Sequence, residues 1–390
     1  MNIDYYCNNN VKMRFFSIFL LISFLSFSQL RGQHKWQGHG LELGVHIGKI
    51  FKHSPKIIFP LDSLPITWGM DLAWEYRLSG NKYWHKPSGF PKMGVVLSFQ
   101  NFGDERLGFG VGLMPYLSCR FFKKGPVEMF GRLAMGISYL SNYYDAWSNP
   151  LNNIIGSNIN NNTAIRLGFA IQASPHLEIK PSFSFTHYSN GASQFPNLGI
   201  NVMSFHLGFL LKSPRTDSIV LEKVAQIQRQ KGLRYGFSFG LGMKEIGRTY
   251  RGPKYPVANF QFDMGMFTGK LNLVKIGLGY EHFFSDYFFA KHAGLSESQA
   301  QWSATRIMFY VEDEYLFGPL SLSAQAGYYF VNPPIALPFL RFGIKYYFKD
   351  PIFSSWSPYL GLRLKAHGIT AEYFEFVLGF CLKKSYKPSL

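Results

Sequence analysis

The chain has 390 residues and a formal charge of +17, from 40 Lys and Arg against 23 Asp and Glu. Its 39 Phe, 23 Tyr and 38 Gly, with only 16% charged residues, favour strands and tight turns, and a mean hydropathy near zero excludes a bundle of membrane helices. The cations are scattered among strand ends and turns, which excludes a nucleic-acid groove and leaves an anionic membrane surface as the expected partner.

From Met13 the chain reads "MRFFSIFLLISFLSFSQLRGQ". A basic start, an apolar run over residues 15–27 and then small and polar residues make a secretory signal, so residues 1–33 are expected to be a targeting region cut near 28–33. No cysteine directly follows the apolar run, which argues against a lipoprotein. Cys7, Cys119 and Cys381 form neither a disulfide framework nor a metal-ligand spacing, so no metal or cofactor is expected.

Alternating segments then follow one another, about eight between residues 40 and 212 and about eight more between 233 and 384. In "RYGFSFGLGMKE", Tyr235, Phe237, Phe239, Leu241 and Met243 share one face, and Gly236, Ser238, Gly240, Gly242 and Lys244 the other. A soluble sandwich or lipocalin-like barrel would turn the apolar face inward. A transmembrane barrel would turn it outward; segments near ten residues, aromatics near their ends and an exported chain favour that reading. The expected fold is therefore all-β, an antiparallel transmembrane β-barrel protein of about 16 strands.

The seventh segment carries the chemistry. In "HLEIKPSFSFTHYSN", residues 176–190, Phe183, Phe185, His187 and Ser189 share the lipid-facing parity, while Ser182, Ser184, Thr186, Tyr188 and Asn190 share the lumen parity. Polar groups on a lipid-facing register are expensive unless partnered. In the next segment Asn201 begins the face that holds Met203, Phe205, Leu207 and Phe209. A histidine beside a serine is the minimum for nucleophilic acyl transfer, although interfacial residues bonded to headgroups or loop backbone would give the same pattern.

The stretch "THYSNGA…PNLGIN" resembles the signature of the outer-membrane lipid A 3-O-deacylases, the PagL family, over about residues 40–212. The resemblance implies His187 as general base, Ser189 as nucleophile, and Asn190 with the Gly191 backbone as oxyanion stabilisers. It also implies an active site on the outer wall at the membrane boundary, with lipid A or lipopolysaccharide as substrate and outer-membrane lipids around it. The family's acid, typically Glu, falls on Asn201, which can orient the histidine but cannot stabilise imidazolium by charge. The expected activity is an outer-membrane serine esterase removing an ester-linked acyl chain. The alternatives are a phospholipase-like esterase and a non-catalytic pore or lipid-binding barrel that keeps a relic motif. Upstream, the Asn-rich stretch 148–162 is either a solvated loop or a sugar-binding rim.

Residues 213–232, "SPRTDSIVLEKVAQIQRQKG", are charged, with Ile219, Val220, Val224 and Ile227 at helical spacing. They are expected to be a helical linker between residues 34–212 and 233–390. "NVMSFHLGFLLK" and "EYFEFVLGFCLKK" echo each other at the ends of the two halves, so two tandem eight-stranded barrels are favoured over one of sixteen strands. In the second half, parity sets His367 and Glu372 on opposite faces, and Ile369 stands two residues after the histidine. That half is expected to be non-catalytic. Glu312 and Glu314 are expected to line its lumen.

Overall fold

The computed structural model describes residues 38–63, 66–78, 82–213, 228–246, 252–333, 338–368 and 370–383. The expected targeting region, and residues 214–227 of the expected helical linker, lie outside the described residues. Eight strands make the first half: β1 (His39–Ile50), β2 (Thr67–Arg77), β3 (Lys92–Asn101), β4 (Phe109–Lys124), β5 (Val127–Leu140), β6 (Ile159–Ser174), β7 (Leu177–Ser189) and β8 (Ile200–Lys212). Eight more make the second: β9 (Arg234–Glu245), β10 (Lys254–Phe267), β11 (Asn272–Phe283), β12 (Thr305–Phe317), β13 (Leu320–Val331), β14 (Pro338–Tyr347), β15 (Trp356–His367) and β16 (Thr370–Lys383).

All neighbours pair antiparallel. β8 closes on β1, with Phe209 opposite Leu43, and β16 closes on β9, with Phe376 opposite Leu241. The molecule is therefore two closed eight-stranded barrels, and the single sixteen-stranded barrel is excluded.

Alternation decides which face meets lipid. Along β7 Lys180, Ser182 and Ser184 are buried inside while Phe183 and Phe185 are exposed outside, Phe183 at 72%. Leu43, Val45 and Ile47 on β1 and Ile276 and Leu278 on β11 continue the apolar exterior. An apolar exterior around a charged interior is the membrane arrangement; a soluble barrel would have it inverted.

The lumens are packed with ion pairs. In the first barrel Glu42 meets Arg132 and Lys180, each at 2.6 Å, and Arg166 meets Asp71 at 2.6 Å. In the second, Glu312 meets Lys275 at 2.8 Å and Lys345 at 2.5 Å, and Lys365 meets Glu281 at 2.6 Å. Glu314 joins the same two lysines, so Glu312 and Glu314 do line the lumen, as balanced ion pairs. Charges buried this deeply persist only when paired and hydrogen-bonded.

Long loops gather at the end of the first barrel where β1, β3, β5 and β7 finish; that end holds the described residues 51–63, 102–108, 141–158 and 190–199. In the second barrel the corresponding end carries α1 (Phe284–His292) and α2 (Glu297–Ala304), between β11 and β12. Neither helix is expected from the alternating pattern. The capping box at Ser296, which accepts from Gln299 N–H while Gln299 Oε1 accepts the Ser296 N–H, was visible as "SESQ".

At the opposite end, the segment joining β2 to β3 leaves the first barrel and closes the mouth of the second. Leu78 and Trp84 share an apolar cluster with Phe267, Leu271, Leu316 and Ile352, and the Tyr83 hydroxyl donates to Asp350 at 2.5 Å. At the loop end the Phe195 N–H donates to Glu245. Like ends contact like ends, so the barrels stand side by side in the same orientation.

Candidate active site

Strand register assembles the site on the outer wall of the first barrel, at its loop end. His187 on β7 lies directly opposite Asn201 on β8, and its other neighbour is Thr163 on β6. Ser189 ends β7 opposite Asn161. Phe185, Met203 and Ile165, all exposed, form the apolar wall below them. The sequence parity of His187, Ser189 and Asn201 is thus realised as one outward-facing row, while Tyr188 turns inward against Phe102.

The imidazole is held from two sides. Its Nδ1–H donates to Asn201 Oδ1 at 2.5 Å, which fixes the tautomer and leaves Nε2 with a free lone pair. Gly199, at φ +84°, lies over the ring; a Cβ there would come within 2.7 Å of His187 Cε1, so only glycine fits. His53 from the β1–β2 loop adds a second imidazole within electrostatic range, anchored by its Nε2–H to the Leu198 carbonyl at 2.8 Å. His53 is not among the expected site residues, because it comes from a loop where no strand parity places it.

Ser189 is 4% exposed, and among the described residues its hydroxyl makes no hydrogen bond, to His187 or to any other group. Catalytic hydrogen bonds often tighten only when substrate is bound. The structure therefore brings His187 and Asn201 together and leaves Ser189 beside them in register, not bonded.

Asn190 is placed differently from the sequence expectation. Its side-chain amide donates to the Gln194 carbonyl at 2.7 Å and to Ser157 Oγ at 3.0 Å, and its backbone N–H donates to Asn197 Oδ1 at 2.9 Å. Its donors organise the loop and are not free for an oxyanion. Gly191, at φ +62°, has no acceptor for its N–H among the described residues.

The Asn-rich stretch is likewise occupied with its own backbone. Asn149 donates to the Arg106 and Tyr143 carbonyls, Asn152 to Arg106, and Asn158 to Leu140. Those amides build the loop wall. Three exposed lysines, Lys49, Lys52 and Lys56, follow one another from the end of β1 beside the site, and none has an ion-pair partner among the described residues.

Two other clusters carry site-like groups. In the first lumen His46, Asp71 and His206 place one ligand atom each within 4.8 Å of one another, a spacing that could hold a metal ion. The Arg166 guanidinium already supplies the cation there, bonding Asp71 at 2.6 Å and His206 Nε2 at 3.0 Å. In the second barrel His367 Nε2 lies 3.1 Å from Glu372, which also meets Lys365 at 3.0 Å and Lys244 at 2.7 Å. The sequence parity had put His367 and Glu372 on opposite faces. The register shifts between Lys365, opposite Tyr373, and Ala366, opposite Ala371, so Glu372 is the unpaired bulge residue of β16 and reaches the lysines of the lumen.

Comparison with known proteins joins this geometry to a family. Residues 68–209 match the model of the lipid A 3-O-deacylase (PagL), and residues 233–384 match that of the acyloxyacyl hydrolase C-terminal domain. The chain belongs to the lipid A 3-O-deacylase (PagL) family. Membership places it in the bacterial outer membrane and makes it one of a family of hydrolases. Among solved structures, the outer membrane enzyme PagL is 15% identical, with 43% of this chain and 97% of that chain covered and a TM-score of 0.33. Neisserial surface protein A is 10% identical, with 45% and 98% covered and a TM-score of 0.31. The N-terminal β-barrel domain of Pseudomonas aeruginosa OprF is 12% identical, with 45% and 100% covered and a TM-score of 0.27. No curated protein matches the chain.

Proposed function

We propose that the protein is an outer-membrane serine esterase that removes an ester-linked acyl chain from lipid A, using Ser189, His187 and Asn201. The observation that carries this reading is the His187–Asn201 hydrogen bond on the outer wall, which leaves Nε2 free one register step from Ser189. A buried lumen site would have to extract the lipid; a site on this wall meets the ester where the acyl chains already lie.

Ser189 Oγ attacks the ester carbonyl as His187 Nε2 takes its proton. The tetrahedral intermediate collapses, the proton passes to the departing sugar hydroxyl, and the acyl group stays on Ser189. A water, deprotonated by the same nitrogen, then releases the fatty acid. With the Asn190 donors used in the loop, the Gly191 N–H is the donor we assign to the oxyanion. Lys49, Lys52 and Lys56 would meet the phosphates or other acidic groups of the sugar. The ion-paired lumens of both barrels speak against the pore alternative.

Expression in an outer membrane followed by mass spectrometry of lipid A tests the reading. Wild type should remove the mass of one acyl chain and Ser189→Ala none, with folding of both checked by heat-modifiable gel mobility. Unchanged lipid A with folded wild type would sink the deacylase, and labelled phospholipid in the same assay would reveal a phospholipase instead.

A further inference from the structure

A second polar residue stands where lipid would be expected. Glu245 ends β9 on the outward register, in line with the exposed Leu241 and Met243, yet it is only 1% exposed. A carboxylate on that face needs partners. Its Oε2 accepts the Phe195 N–H of the first barrel at 2.7 Å, and its Oε1 accepts the Gly252 N–H of its own β9–β10 loop. Beside it, Phe374 on the outward register of β16 covers Gly191 so closely that a Cβ on that glycine would lie 2.0 Å from the ring.

Both contacts land on the loop that follows Ser189. Phe374 covers the residue two after it, and Glu245 holds the residue six after it. Between them, the Asn190 side chain ties the turn shut onto Gln194. Gly191 and Ala192 both have left-handed backbone, φ +62° each, a conformation that alanine adopts at a cost and that the surroundings must hold. The first barrel supplies the Asn190 and Ser157 contacts, and the second supplies the outer clamp.

We infer that Glu245 and Phe374 make the second barrel a positioning element for the Ser189–Gly191 turn of the first. This rests on the esterase reading above. It also gives the second half a role that does not need a nucleophile of its own.

The test uses the full chain refolded in detergent, with Glu245→Ala, Phe374→Ala and the conservative Phe374→Leu. Tyr83→Phe, at the opposite barrel–barrel contact, serves as control. Hydrogen exchange over residues 190–198 reads the loop directly, whether or not the protein is active, and kcat and KM on lipid A read the chemistry. The Ala variants should speed exchange of the Phe195 amide at least tenfold and lower kcat at least tenfold with KM changed less than threefold. Phe374→Leu should restore most of both, and Tyr83→Phe should alter neither. Unchanged exchange in folded Ala variants overturns the inference, and so does a loosened loop with unchanged kcat. If wild type removes no acyl chain, the esterase reading fails separately, and the exchange data alone decide whether the second barrel holds this loop.

Discussion

Asn201 is the residue on which the chemistry turns. A neutral amide oxygen orients His187 and selects its tautomer, but an ionised acceptor strengthens the bond further as imidazolium forms in the transition state. A charged hydrogen bond exceeds a neutral one by about 1–2 kcal/mol, or roughly 5- to 30-fold in rate. Asn201→Glu should therefore raise kcat by about that factor, and Asn201→Ala should lower it, both measured on lipid A at fixed pH. An Asn201→Glu enzyme slower than wild type would mean that the 2.5 Å amide contact, and not charge, is what the site requires. The sequence made this residue legible because strand parity is strict: His187, Ser189 and Asn201 all lie on the predicted face. Asn190 was less legible, because a loop side chain has no parity and its acceptors came from residues 157, 194 and 197.

At the level of elements, the turn after β7 is built by side chains rather than by ladder bonds. Asn190 satisfies two acceptors and receives the Gln194 N–H at 3.4 Å, so its loss would free several partly buried groups at once. Leaving such groups unpaired costs about 1–3 kcal/mol. Asn190→Ala should lower deacylation at least tenfold and raise proteolytic cutting between residues 190 and 199, while heat-modifiable mobility of the barrel stays unchanged. Normal activity with an intact loop would remove Asn190 from its organising role. Elements were otherwise read well where alternation was long and unbroken, and poorly where one residue was inserted. Glu372 is itself the unpaired residue of a bulge, between Tyr373 opposite Lys365 and Ala371 opposite Ala366, so it leaves the face that Phe374 and Phe376 keep. Helices α1 and α2, of nine and eight residues, are too short for a 3.6-residue period to stand out among strands.

At the scale of the whole molecule, the closure of each half into its own barrel followed from the echoing strand ends, but the contacts between barrels left no periodic signal. Trp84 and Tyr83 come from what looks like an ordinary connection, and Glu245 is one acid in an apolar row. Their partners in the other barrel are far away in sequence, 50 residues for Glu245 and 267 for Tyr83, a separation that local patterning does not encode. What the second barrel contributes in stability can be measured inside its lumen. Glu281 there receives Lys365 at 2.6 Å together with Arg341 and the Tyr373 hydroxyl, all buried. Lys365 and Arg341 keep Glu372 and Glu375 as second partners, but removing one member of such a buried network still costs about 3–5 kcal/mol. Glu281→Ala should therefore unfold the second barrel at markedly lower denaturant than the first, seen as two separated transitions by tryptophan fluorescence and gel mobility. If the barrels are coupled as the Trp84 and Glu245 contacts imply, the first barrel's transition should also move to lower denaturant. A first transition that stays in place would show that the two barrels share a membrane but not their stability.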